Sequence, residues 1–133
     1  MVNVIDKTAT KRRAVAQAKM FLGQEIVTLL NGTEIHTKKG PVFQTAIIAG
    51  VQAVKKTADL IPMCHPLNLT SIKVEIEPDT ENTSFIINAT CKLSARTGVE
   101  MEALHAATTA ALTMYDMCKA VDKSMLISDI HLV

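Results

Sequence analysis

The sequence predicts an α+β fold, an antiparallel sheet with helices packed on one face. Apolar and polar residues alternate over residues 12–20, 71–77 and 83–94, which is the period of half-buried strands. Residues 42–60 and 99–123 instead carry apolar residues at helical spacing. The order strand, two helices, two strands, helix, strand points to helices stacked on a sheet.

Along the chain, residues 1–8 alternate Val2 and Val4 and end quickly, as an edge segment does. In 12–20, Ala14, Ala16, Ala18 and Met20 oppose Arg13, Gln17 and Lys19. Residues 23–30 hold Ile26, Val27, Leu29 and Leu30, a short helix that Asn31-Gly32 stops. His36-Thr37-Lys38-Lys39-Gly40-Pro41 reads as a polar turn leading into the next helix. The free N–H groups of that helix start, with Lys39 beside them, would suit a phosphate. A solvated turn lysine is the plain alternative.

Residues 42–60 form a helix on Phe43, Ile47, Ile48, Val51 and Val54, and Gly50 marks close packing against another backbone. In 71–77, Ile72, Val74 and Ile76 face one way and Lys73, Glu75 and Glu77 the other. After a turn over 78–82, the partner strand 83–94 buries Phe85, Ile87, Ala89 and Cys91. Cys91 is read as core. Residues 95–98 end this strand and cap the long helix 99–123, and 125–133 close the chain as a strand with a structural His131.

One domain is expected over residues 1–133. The net charge of +1 and an aromatic content of 3 %, with no Trp, argue against a nucleic-acid partner. Lys11-Arg12-Arg13, Lys38-Lys39 and Lys55-Lys56 are compact basic clusters, better suited to a local anion site. The three cysteines are widely spaced, and neither a signal-peptide pattern nor a membrane-spanning run occurs. A reducing, cytoplasmic setting with free thiols is expected. No CxxC or HxxxH spacing occurs, so no metal site is assigned.

Ile61-Pro62-Met63-Cys64-His65-Pro66-Leu67 sets a thiol and an imidazole between prolines at the junction of a helix and a strand. Proline stiffens the segment, and a rigid loop carrying His is a place for chemistry. The plain reading of the same residues is a helix stop with Cys and Met packed in the core.

On the last long helix, Glu102, His105, Thr109, Thr113, Asp116, Lys119 and Lys123 fall on one polar stripe, ordinarily a solvent face. Glu100 falls on the apolar side, so it precedes the regular helix or needs a buried partner. Asp116 and Lys119 sit one turn apart as an acid and an ammonium. Glu102 and Asp116 lie about 21 Å apart along a straight helix. If both ends are functional, helix ends from two subunits must meet, which implies a homo-oligomer with a shared site.

Lys39-Gly40, residues 49–55 (AGVQAVK), residues 61–67 (IPMCHPL), residues 97–104 (TGVEMEAL) and residues 115–121 (YDMCKAV) together strongly resemble the cyclic pyranopterin monophosphate synthase family of molybdenum-cofactor biosynthesis. Lys7, Thr10 and Arg12 fit the same pattern, which spans nearly the whole chain. The resemblance implies a ferredoxin-like protomer in a homohexamer, a trimer of dimers with sites at the dimer interface. It implies a lyase that converts a cyclic dihydro-GTP, joined between ribose C3′ and guanine C8, to cyclic pyranopterin monophosphate and diphosphate. No cofactor is required, although Mg²⁺ can accompany the triphosphate.

By position, the resemblance implies that Met63, Cys64, His65, Glu100, Met101, Glu102 and Arg12 contact substrate. Asp116, Lys119, Lys55 and Lys39 take the catalytic places. Asp116 and Lys119 are expected to act as an acid–base pair, Lys55 as a second proton carrier, and His65 with Glu102 as purine-side contacts. The chemistry asks for such groups: cations for a triphosphate and for departing diphosphate, and tuned acids and bases for ring opening and closure. The sequence departs from the family at Asn3, where Asp is usual, and at Pro41 after Gly40. Many relatives also continue past position 133 with a Lys/Gly/Ser-rich tail that could cover the triphosphate. A non-catalytic nucleotide-binding α+β oligomer is the alternative, and a thiol or metal site on Cys64, His65 and Cys118 is a second.

Overall fold

The computed structural model describes residues 10–79 and 83–133. The edge segment expected over 1–8, Asn3, Lys7 and part of the turn over 78–82 lie outside the described residues. Strand β1 (Thr10–Phe21) is followed by the one-turn helix α1 (Gln24–Val27) and three short strands, β2 (Leu30–Asn31), β3 (Glu34–Thr37) and β4 (Gly40–Pro41). Helix α2 (Val42–Leu60) leads to the hairpin of β5 (Ser71–Pro78) and β6 (Ser84–Ala95). Helix α3 (Glu100–Cys118) and strand β7 (Leu126–Leu132) complete the chain.

The main sheet runs β5-β6-β1-β7, and its pairs are antiparallel. Sequence alternation sets the register. Val74 of β5, Ala89 of β6 and Ala16 of β1 align in one row, and Ile76, Ile87 and Ala18 in the next. These side chains face α2 and α3, which cover one side of the sheet. The other side carries polar partners such as Gln17 Nε2, which donates to Asn88 Oδ1 at 2.7 Å. The α+β architecture read from the sequence is therefore the one observed.

Alanine dominates the helix-facing core. Ala103, Ala106, Ala107, Ala110 and Ala111 of α3 are all buried, so α3 lies close to both the sheet and α2. Gly50 lets the two helices approach: a Cβ there would stand 3.1 Å from the Ala106 carbonyl oxygen and 3.2 Å from Val74 Cγ2. Phe43 and Phe85 supply the bulk, with ring centroids 5.0 Å apart and tilted by 59°. Cys91 is fully buried, as its strand position required.

Three sequence expectations change. The helix expected over 23–30 is the single turn α1, which ends at Val27, and Leu30 stands in β2. The polar turn over 36–41 is a hairpin, with His36 opposite Pro41, Thr37 opposite Gly40, and Lys38-Lys39 at the tip. Strands of two to four residues are too short to display alternation, which hid this one. Helix α3 ends at Cys118 rather than near 123, because Val121 N–H bonds back to the Cys118 carbonyl at 2.9 Å and turns the chain. That turn delivers Met125 into the core. No described helix is long and apolar enough to cross a membrane.

Candidate functional site

Helix α2 stops where Pro62 forbids another turn, with Ile61 already extended at φ −105° and ψ 107°. The Cys64 N–H then closes a tight turn on the Ile61 carbonyl at 3.1 Å. This segment faces the start of α3, which β6 delivers through Thr97-Gly98. Between them lies a cleft of about 200 Å³ lined by Met63, Cys64, His65, Glu100, Met101 and Glu102. Six residues singled out in the sequence thus share one cleft.

Within it, Met63 is 63 % exposed, and Cys64 and His65 are half-buried, so the segment is not simply core. The two glutamates exchange the places that helical phase gave them. Glu102 is 4 % exposed and Glu100 is open to solvent. The apolar side of α3 is wider than a single stripe because it packs on α2 and on the sheet at once. Glu102 falls inside that width. Glu100 is the first helical residue, and its carboxylate folds over Gly98.

Burial raises the Glu102 carboxyl above the ordinary carboxylate range, its own N–H partly opposes this, and the Glu100 charge adds to the rise. The Cys64 thiol is raised too, by burial first and then by Glu102. The cleft therefore offers a carboxyl that takes up protons readily, a neutral thiol and an imidazole. Such a set can donate to and accept from the edge of a heterocycle.

The opposite end of α3 holds a different cluster. Asp116 Oδ1 accepts from Lys119 Nζ at 3.0 Å and from Lys39 Nζ at 3.2 Å. Lys39 also donates to the Asp116 carbonyl at 3.1 Å. The hairpin tip reaches this point because Thr37 Oγ1 donates to the Met117 carbonyl at 3.0 Å. Hydrogen bonds from Lys119 and then Lys39 hold the Asp116 carboxyl below its usual range. Exposed ion pairs of this kind add little stability. The arrangement is better understood as an ionised acid held between two ammoniums.

The open helix start expected beside Lys39 is closed. Glu34 Oε1 accepts from the Phe43 N–H at 2.7 Å and the Ile35 N–H at 2.8 Å, and Oε2 accepts from the Gln44 N–H at 3.1 Å. A side-chain carboxylate already occupies the place a phosphate would take. Glu34 carried no signal in the sequence, since its partners Phe43 and Gln44 lie beyond the hairpin.

Lys55 belongs to neither cluster. It lines a groove of about 550 Å³ between α2 and α3 with Gln52, Lys56, Leu60, His105 and Thr109. Arg12 sits apart again, its Nε donating to the Ala95 carbonyl at 3.4 Å in a depression shared with Lys11, Arg13 and Lys92. Within one chain the named residues fall into four places, and Glu102 and Asp116 stand about 21 Å apart on the same helix.

A thiol or metal site on Cys64, His65 and Cys118 does not assemble within the chain, since Cys118 is buried at the far end of α3. Among the described residues no group of three or more His, Cys, Asp or Glu is placed to hold a metal ion. Compared with known protein families, the chain is matched along residues 1–133 by the model described as MoaC family.

Proposed function

The chain belongs to the MoaC family, enzymes of molybdenum-cofactor biosynthesis, and from that premise we propose that it is a cyclic pyranopterin monophosphate synthase. The substrate is (8S)-3′,8-cyclo-7,8-dihydroguanosine 5′-triphosphate, and the products are cyclic pyranopterin monophosphate and diphosphate. The rearrangement involves no net oxidation or reduction, so no redox cofactor is assigned. A Mg²⁺ ion would enter with the triphosphate as part of the substrate.

The observation that carries this reading is the sorting of the named residues to the two ends of α3. A cleft with Cys64, His65 and the proton-accepting Glu102 suits the purine edge. An ionised Asp116 between Lys39 and Lys119 suits proton transfer next to departing diphosphate. No single protomer can present both to one nucleotide. We therefore assign the site to a dimer interface in a homohexamer, a trimer of dimers, with one copy giving the cleft and its partner the lysine-carboxylate cluster. Arg12 completes the grip on the phosphates, and Lys55 serves as a second proton carrier.

Mixing inactive variants tests this directly. Glu102→Gln and Asp116→Asn homo-oligomers are each expected to form little product in single-turnover reactions with the cyclic nucleotide. Mixed oligomers, unfolded and refolded together, regain activity if one site draws on two chains. Mixtures as inert as their parents would place each site within one protomer.

A further inference from the structure

Thr57 is 1 % exposed, and its hydroxyl makes two contacts. Oγ1 lies 2.9 Å from the Ala53 carbonyl and 3.0 Å from His105 Nδ1. A hydroxyl has one proton, and a carbonyl oxygen can only accept. The structure has the hydroxyl donate to the Ala53 carbonyl, which leaves its lone pairs toward His105 and makes Nδ1 the donor in that contact. This fixes the neutral ring as the Nδ1–H tautomer and leaves the Nε2 lone pair on the other edge.

His105 lines the groove with Lys55, Lys56, Gln52 and Thr109. Two stretches of chain connect the groove to the cleft described above. His105 is one helical turn beyond Glu102 on α3, and Leu60 at the groove immediately precedes the 61–67 segment. Lys55 on α2, already assigned to the reaction, and His105 on α3 thus line the same groove. A buried hydroxyl holds the imidazole in one orientation there, so a base is presented in a fixed direction beside two ammoniums.

We propose that His105 is a proton-accepting catalytic residue and Thr57 its positioning residue, a role that rests on the synthase reading above. Nε2 takes a proton from a substrate O–H or N–H, and the bonding pair stays on that oxygen or nitrogen. The ring becomes an imidazolium whose Nδ1–H still donates to Thr57. The proton is returned when the pterin ring closes.

The test combines a long-range ¹H–¹⁵N spectrum of histidine-labelled protein with kinetics. His105→Gln identifies the His105 signals by their loss. The wild type is expected to show the Nδ1–H tautomer in the neutral ring. Thr57→Val should mix or reverse the tautomer and lower kcat by about 10-fold with KM little changed, and Thr57→Ser should restore both. His105→Gln should lower the single-turnover rate by about 100-fold. An Nε2–H tautomer in the wild type overturns the positioning role. A His105→Gln protein as fast as an active wild type overturns the catalytic role alone. A wild type that forms no product overturns the synthase reading, and this role with it.

Discussion

Lys39 Nζ meets Asp116 Oδ1 at 3.2 Å although 77 residues separate them in the chain. A two-residue hairpin tip and the last turn of α3 are brought together, and Lys119 completes the cluster from Asp116's own helix. The contact is exposed, so its worth lies in chemistry rather than in holding the fold.

Asp116→Asn keeps the shape and removes the charge. The variant should melt at the wild-type temperature, because the carboxylate is solvated. Its single-turnover product formation should fall by about 100-fold or more, the usual scale for losing a proton-transfer group. Thermal unfolding beside rapid-quench kinetics checks both halves.

Glu34 should control acid stability. Partial burial raises its carboxyl, but the Phe43, Ile35 and Gln44 N–H groups outweigh this and set it below the ordinary value. A depressed carboxyl stabilises above its unfolded value and loses that contribution as pH falls through its folded one. Glu34→Ala should therefore lose about 1 kcal/mol near pH 7. The gap to wild type should close as the pH drops below the ordinary carboxylate range, as read by urea unfolding at several pH values.

Glu102 runs in the opposite sense. Its carboxyl is raised by burial and by Glu100, so the folded state holds the proton more tightly than the unfolded chain does. Stability then falls as pH rises from the ordinary carboxylate value through the raised one. Glu102→Gln should be more stable than wild type above that window, by about 1 kcal/mol. Below the window the two should match, and the same unfolding series reads the difference.

The thiols should react in a fixed order. Burial pushes Cys91 up to about 12 and Cys118 up to about 11, and neither is accessible. Cys64 is half-buried and its thiol is raised less, by burial and by Glu102. Iodoacetamide on native protein should modify Cys64 alone, and more slowly than free cysteine. Glu102→Gln should speed that step, with intact mass following each addition.

Gly50→Ala should destabilise even though alanine favours helix. The helical preference returns about 1 kcal/mol, whereas forcing a methyl between Ala106 and Val74 costs about 1–3 kcal/mol. A net loss near 1 kcal/mol would lower the melting temperature by about 3–6 °C. Circular dichroism at 222 nm suffices to see it.

Much of the fold was legible because its periodicities are long. Helix α2 spans residues 42–60 just as the apolar spacing predicts, and β5 and β6 differ from their expected bounds by a residue at most ends. The small β2–β4 ribbon was hidden, since two residues cannot alternate. The site was legible as a set of residue types carried by the family pattern, but its geometry was not. Lys39 and Asp116 meet through a hairpin that no local signal announces. Glu34 and Thr57 matter through partners nine and forty-eight positions away. Helical phase alone misplaced Glu100 and Glu102, because it allows one apolar face where α3 packs against two neighbours.

The alanine row of α3 also makes that helix a ruler. One residue added between Glu102 and Asp116 would move the far end by about 1.5 Å and swing it by about 100°. Asp116 would leave Lys39, and larger neighbours would be driven into gaps sized for methyl groups. A substitution in this interval can be absorbed where it falls, whereas a change in residue count would be felt at both tips together. Descendants of this chain can lengthen or shorten at their turns, but the graduation from 102 to 116 is fixed.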